Sequence, residues 1–211
     1  MRPVVCMITD RQRFGGNAED LLIARVAAAA AAGVDLVQVR ERDMEGAALT
    51  RLVTRCVQAT TGTRTRVLVN DRLDIAIAAG AHGVHLRGDS MPAHRARALT
   101  PPGFLIGRSV HTVDEAVRVT ADGGLDYLLL GAVFDTQSKP GAVAAGIDVL
   151  AGVAAATALP VLAVGGVTAN RVHQLAGTGC AGFAAIGFFA GDEGEPLEEV
   201  VAAASQAFEK G

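Results

Sequence analysis

Short β-rich, largely apolar runs recur along the chain, at Val4–Ile8, Val34–Val39, Arg66–Val69, Gly83–Leu86, Phe104–Ile106, Asp126–Leu130, Pro160–Val164 and Gly182–Ile186. They lack the apolar–polar alternation of a strand with one wet face, and so predict strands buried on both faces, as in a parallel sheet wrapped by helices. Segments with helical spacing lie between them, including Ala18–Ala32, Ala47–Ala59, Val113–Ala121 and Asn170–Ala176. Glycines such as Gly33 and Gly124, placed just before a strand run, suit the left-handed cap that ends a helix. About eight strand-then-helix units in 211 residues predict one α/β domain over 1–211, a (β/α)₈ TIM barrel. The alternative is an open doubly wound sheet, but eight strands are what closure requires, and no Gly-x-Gly-x-x-Gly follows the first run.

Composition narrows this further. Half the residues are hydrophobic and only 4% are aromatic, so the core must be aliphatic. A net charge of −3 gives no electrostatic footprint for nucleic acid. No run approaches the roughly 18 uninterrupted apolar residues of a membrane helix, and the opening MRPVVCMITD turns polar too soon for a signal peptide. The three cysteines, Cys6, Cys56 and Cys180, read as reduced packing residues, and the protein is expected to be cytoplasmic.

In such a barrel the site lies where each strand ends. Polar candidates there are Thr9 and Asp10; Gln38, Arg40, Glu41 and Arg42; Asn70 and Asp71; His85, Arg87, Asp89 and Ser90; Arg108, Ser109 and His111; and Asp135, Thr136, Ser138 and Lys139. Four cations, Arg40, Arg42, Arg108 and Lys139, are expected on one rim of an acidic protein. The seventh and eighth strands end in Gly165-Gly166 and Ile186-Gly187, and a helix start at Thr168 would complete an anion cradle. These glycines could instead only relieve crowding at a tight turn. His111 is the candidate acid/base, although it could equally cap the helix opened by Thr112 and Glu115. His85 could be a packed core residue, Arg40-Glu41-Arg42 a solvated charge run, and Asn70-Asp71 either a ligand pair or a helix cap.

Taken in order, the segments Ile8-Thr9-Asp10, Gln38-Val39-Arg40-Glu41-Arg42, Val69-Asn70-Asp71, Gly83-Val84-His85-Leu86, Ile106-Gly107-Arg108-Ser109-Val110-His111, Asp126-Tyr127, Gly131–Lys139 and Ala163-Val164-Gly165-Gly166-Val167 resemble the superfamily of thiamine phosphate synthases and TenI-type thiazole tautomerases. The resemblance covers nearly the whole chain and implies a TIM barrel that binds a small phosphorylated thiazole. It implies that Gly166, Ile186 and Gly187 cradle the phosphate and that Ser109, Thr136 and Ser138 line the ring. In a synthase, Gln38, Arg40, Arg42, Asn70 and Lys139 would hold an aminopyrimidine diphosphate. Mg²⁺ would be bound by Asp71 and by a second aspartate in a loop usually reading Gly-Gln-Glu-Asp. A homodimer is compatible with the resemblance.

Here the fourth loop reads Arg87-Gly88-Asp89-Ser90, which puts serine at the second carboxylate position and Asp89 one residue early. Arg42 also replaces the family's lysine. The expectation is therefore the tautomerase, which needs no metal: His111 moves a proton on a carboxythiazole phosphate and Arg40 or Arg42 pairs with the carboxylate. The alternatives are the Mg²⁺-dependent synthase, which releases pyrophosphate, and a non-catalytic regulator that keeps the thiazole phosphate pocket. The loop from Pro140 to Gly146 is a candidate lid.

Overall fold

The computed structural model describes residues 2–136, 143–189 and 197–210. Eight parallel strands close into a barrel in chain order: β1 (Val4–Ile8), β2 (Leu36–Val39), β3 (Arg66–Asn70), β4 (Gly83–Leu86), β5 (Leu105–Val110), β6 (Tyr127–Gly131), β7 (Val161–Val164) and β8 (Gly182–Ala185). β8 pairs back to β1, so no strand edge remains. Around it run α1 (Ala18–Ala31), α2 (Gly46–Ala59), α3 (Leu73–Ala78), α4 (Ala93–Arg97), α5 (Val113–Ala121), α6 (Gly146–Ala156) and α7 (Leu197–Lys210). The predicted TIM barrel is the observed fold.

Two apolar layers follow from strands buried on both faces. The outer one packs Val5, Val37, Val67, Val84, Ile106 and Leu128 against the helices. The inner one fills the barrel with Cys6, Leu36, Leu68, Tyr127, Leu129, Leu162 and Ala184. Tyr127 is the bulky member of this inner layer, and its ring occupies the space a Cβ on Gly107 would need, 2.0 Å from the ring carbon Cζ. A side chain on Gly107 is excluded for that reason. All three cysteines are buried and unpaired, and burial pushes the Cys6 and Cys56 thiols up to about 12, as expected of packing residues.

Two elements differ from expectation. β5 runs on through Arg108 and Ser109 to Val110, because polar residues at a strand's C-terminal end still pair with β6. The segment Asn170–Ala176, expected as a helix, holds only a one-turn 3₁₀ helix at Val172–Leu175, which ends close to the turn glycines Gly177 and Gly179. Among the described residues no helix is long and apolar enough to cross a membrane.

Candidate functional site

The C-terminal strand ends surround a cavity of about 590 Å³. Gln38, Arg40, Arg42, Asn70, Ser109, His111 and Thr136 line it together with Gly165, Gly166, Ile186 and Gly187, so the structure gathers these expected site residues at one place. Ser138 and Lys139 lie outside the described residues, as do residues 140–142 of the Pro140–Gly146 loop.

The second-strand motif is not a solvated run. Glu41 is buried and accepts the Thr9 hydroxyl at 2.5 Å and the Arg11 backbone N–H at 3.1 Å. That anchor turns Arg40 and Arg42 to the cavity on either side of it. Burial and the neighbouring Arg42 lower the Arg40 pKa, so this guanidinium is poorly solvated and primed for an anion. Deeper in, the Gln38 amide donates to Asn70 Oδ1 at 3.0 Å, while Gln38 Oε1 is buried with no partner among the described residues.

Arg108 does not join the cationic rim. Alternation along β5 sends Ser109 to the cavity and Arg108 away from it, where its guanidinium donates to the carbonyls of Arg87, Ser90 and Met91 at 2.7–3.1 Å. It braces the loop after β4. Asn70 and Asp71 do not cap α3 either. Asp71 holds φ +64°, a left-handed conformation unique to it among the described non-glycine residues, and such strain is concentrated at functional positions. Its carboxylate accepts from Ser90 Oγ and lies 3.5 Å from Arg87 Nη1, while Arg87 Nη2 pairs with Asp89 at 2.5 Å. One guanidinium thus bridges two carboxylates: Asp89 lines the main cavity, and Asp71 and Ser90 line an adjoining cleft. Among the described residues no cluster of three or more His, Cys, Asp or Glu is placed to hold a metal alone.

His111 is exposed at the cavity, its Nδ1 3.3 Å from Glu115 and its backbone N–H donating to the same carboxylate at 2.9 Å. The cap of α5 belongs to Thr112, whose hydroxyl accepts from Glu115 N. His85 is buried, its ring held between Tyr127 and Ser109, and it contributes to the cavity wall.

The glycine turns line the cavity, but the described segment between β7 and β8 holds no α-helix, so the Gly165–Gly166 turn has no α-helix dipole behind it. Packing alone requires Gly165 and Gly166: both have positive φ, and a Cβ on Gly166 would lie 2.4 Å from the Asp135 carbonyl. The sequence reading missed two cations here. Arg171 donates to the Gly166 carbonyl at 3.1 Å and lies over the Phe134 ring, and an Arg13 nitrogen lies 4.0 Å from where a Gly187 Cβ would be. Both line the cavity. They sit in one-turn and irregular segments without periodicity, so spacing gave no signal.

Five arginines (Arg13, Arg40, Arg42, Arg87 and Arg171) against two carboxylates (Asp89 and Asp135) make the lining strongly cationic within a chain of net charge −3. Fold and site together define a (β/α)₈ barrel built to hold a small ligand with more than one anionic group. The thiamine monophosphate synthase model, TMP-TENI, matches residues 5–189, and the chain belongs to that family, which places it among enzymes of thiamine biosynthesis. The thiamine-phosphate synthase of Methanoculleus marisnigri is 42% identical over 165 residues, 78% of each chain. That of Methanoregula boonei is 37% identical over 97% of this chain and 91% of its own. Among solved structures, a thiamine phosphate pyrophosphorylase from Pyrococcus furiosus superposes with TM-score 0.83 at 26% identity, covering 98% of this chain and 95% of that one.

Proposed function

We propose that the chain is a thiamine-phosphate synthase, in place of the tautomerase expected from the fourth loop. It would join an aminopyrimidine diphosphate to a thiazole phosphate. The bond between the pyrimidine's carbon arm and the diphosphate oxygen breaks, and its electron pair leaves with the diphosphate. The thiazole nitrogen's lone pair then forms the new C–N bond, and pyrophosphate is released.

The observation that carries this reading is Gln38 Oε1, a buried acceptor at the cavity wall with no partner among the described residues. Such a group is costly unless a ligand supplies a donor. The exocyclic amine of an aminopyrimidine is that donor, whereas a carboxythiazole phosphate brings anionic groups. The names of the relatives support the same choice.

The cations suit two separate anionic ends. Arg40 and Arg42 follow β2 and Arg87 follows β4, on the side suited to the diphosphate. Arg13 follows β1 and Arg171 follows β7, beside the glycine turns suited to the thiazole's phosphate. Mg²⁺ commonly takes one or two carboxylates and completes its shell with substrate phosphates and water. Asp71 and Asp89 would hold an ion that arrives with the diphosphate when the Arg87 guanidinium that bridges them turns to the diphosphate instead, with the Ser90 hydroxyl beside Asp71. When bound, it neutralises charge on the leaving diphosphate.

His111 against Glu115 at the cavity edge favours a second reading, the metal-independent tautomerase. One assay separates them. Purified protein given both synthase substrates and Mg²⁺ should form thiamine phosphate, and Asp71→Ala should abolish this. Metal-free aromatisation of carboxythiazole phosphate, stopped by His111→Ala and without any thiamine phosphate, would instead establish the tautomerase. Thiazole phosphate binding with neither activity would leave the regulator.

A further inference from the structure

Three polar side chains form a hydrogen-bonded chain inside the barrel. The Tyr127 hydroxyl lies 3.0 Å from His85 Nδ1, and His85 Nε2 lies 2.9 Å from Ser109 Oγ. Tyr127 and His85 are buried at 5% and 2% exposure, while Ser109 faces the cavity. We propose that Tyr127 and His85 are positioning residues that fix the Ser109 hydroxyl as a hydrogen-bond donor into the cavity.

Only one placement of the protons satisfies every group in this hydrogen-bonded chain. A neutral imidazole carries a single N–H, on either Nδ1 or Nε2. If Nδ1 carried it, the ring would donate to the tyrosine oxygen, and the phenolic hydrogen would be left without an acceptor in the inner apolar layer to which Tyr127 belongs. His85 is the one hydrogen-bond partner of that hydroxyl among the described residues, so the arrangement would bury an unpaired donor. The satisfied alternative has Tyr127 O–H donating to Nδ1 and the ring proton on Nε2. Nε2–H then donates to Ser109 Oγ, and the serine's own hydrogen turns outward to the ligand. A doubly protonated ring is excluded at ordinary pH: burial, and then the nearby Arg108 charge, push His85 down to about 3. The polarity of a hydroxyl at the cavity wall is thus set two residues away by a phenol that never meets the ligand.

The direction matters because this cavity is built for anions. A serine held as an acceptor would oppose a phosphate or diphosphate oxygen, and one held as a donor stabilises it. The catalytic part of the inference rests on the synthase reading; the hydrogen-bond polarity does not.

The experiment therefore has two arms. In the first, the full-length protein with ¹⁵N-labelled histidine and no ligand is examined by NMR, with His85→Gln assigning the signal. The expected spectrum shows the Nε2–H tautomer of His85, with a mixture of tautomers in Tyr127→Phe. The Nδ1–H tautomer in the wild type, or no change in Tyr127→Phe, overturns the proposal. Phenylalanine still fills the space over Gly107, so the variant keeps the packing. In the second arm, Tyr127→Phe is expected to lower kcat roughly 10- to 100-fold, with KM changed about threefold or less. His85→Gln, whose amide can donate to Ser109, should keep more kcat than His85→Leu. Equal kcat in Tyr127→Phe and wild type, or in the two His85 variants, would refute the positioning role. If no protein variant forms thiamine phosphate, the synthase reading fails, and the tautomer measurement still decides the polarity.

Discussion

Ser90 donates its hydroxyl to the Asp71 carboxylate. Serine stands where the family pattern has a second carboxylate, so the residue that departs from the pattern holds the residue that keeps it. Arg87 also reaches both Asp71, at 3.5 Å, and Asp89, at 2.5 Å. The one-residue shift of the acidic group leaves it a single guanidinium away from its partner.

That arrangement predicts opposite effects at two neighbouring positions. Asp71→Asn should lower kcat/KM roughly 100-fold or more, about 2.7 kcal/mol of transition-state stabilisation, through loss of a Mg²⁺ ligand. Ser90→Asp should lower the Mg²⁺ concentration needed for half-maximal rate, because a second carboxylate raises affinity for a hard cation. Rates measured across a Mg²⁺ titration check both. An Asp71→Asn enzyme with wild-type Mg²⁺ dependence would remove the metal from this loop.

Gln38→Leu should raise KM for the aminopyrimidine diphosphate about 10- to 100-fold, the equivalent of about 1.5–3 kcal/mol for a lost hydrogen bond within a charged ligand's site. The thermal midpoint should move little, because the substitution also removes a buried acceptor that lacks a partner among the described residues. Asn70 loses one donor but is half-buried and lines the cavity. Steady-state kinetics together with a melting curve separate the two effects.

Most of the fold was legible because its signal is redundant: each strand announces itself by a short, largely apolar run, and eight of them admit closure. The site was legible only where a side chain's direction follows from its place at a strand end, as for Gln38, Asn70 and Ser109. Arg108 sits in the same motif as Ser109, yet strand alternation turns it to the β4 loop, so proximity in sequence misled. Arg13 and Arg171 gave no signal, since each is aimed by the irregular turn it sits in, through contacts with Asp10 at 3.1 Å and with the Gly166 carbonyl at 3.1 Å that no regular spacing encodes.

Arg171→Ala tests whether that missed cation serves the phosphate. Removing a guanidinium from a phosphate site costs about 1.5–3 kcal/mol, so KM for the thiazole phosphate should rise roughly 10- to 100-fold. KM for the aminopyrimidine diphosphate should change less than about threefold, since Arg171 stands on the β7 side of the barrel. Equal rises for both substrates would mean that the variant has disturbed the Gly165–Gly166 turn itself.

Gly107→Ala should destabilise the barrel by about 1–3 kcal/mol or more through overpacking, since its methyl would meet the Tyr127 ring. Urea unfolding measures this as a lower midpoint at unchanged slope. In a Tyr127→Leu background the smaller side chain should relieve much of the cost, and a strictly additive double variant would contradict the packing account.

The buried His85 also makes stability depend on pH, with a sign that can be worked out. Its folded pKa is pushed down to about 3, chiefly by burial and then by Arg108, against about 6.5 in an unfolded chain. Between these values the unfolded state binds a proton that the folded state refuses, so stability rises with pH. The contribution is complete above about pH 6.5 and is lost progressively as the pH falls toward 3. The slope from this one group approaches about 1.4 kcal/mol per pH unit. His82, also lowered mainly by burial, adds in the same direction. Unfolding free energies at pH 7 and pH 5 isolate the histidines, because most carboxylates titrate below that window. His85→Gln, which cannot take up the proton, should flatten the difference by about 1–2 kcal/mol even if it is less stable at pH 7. An unchanged slope in that variant would mean that the ring of His85 is already open to protons in the folded barrel.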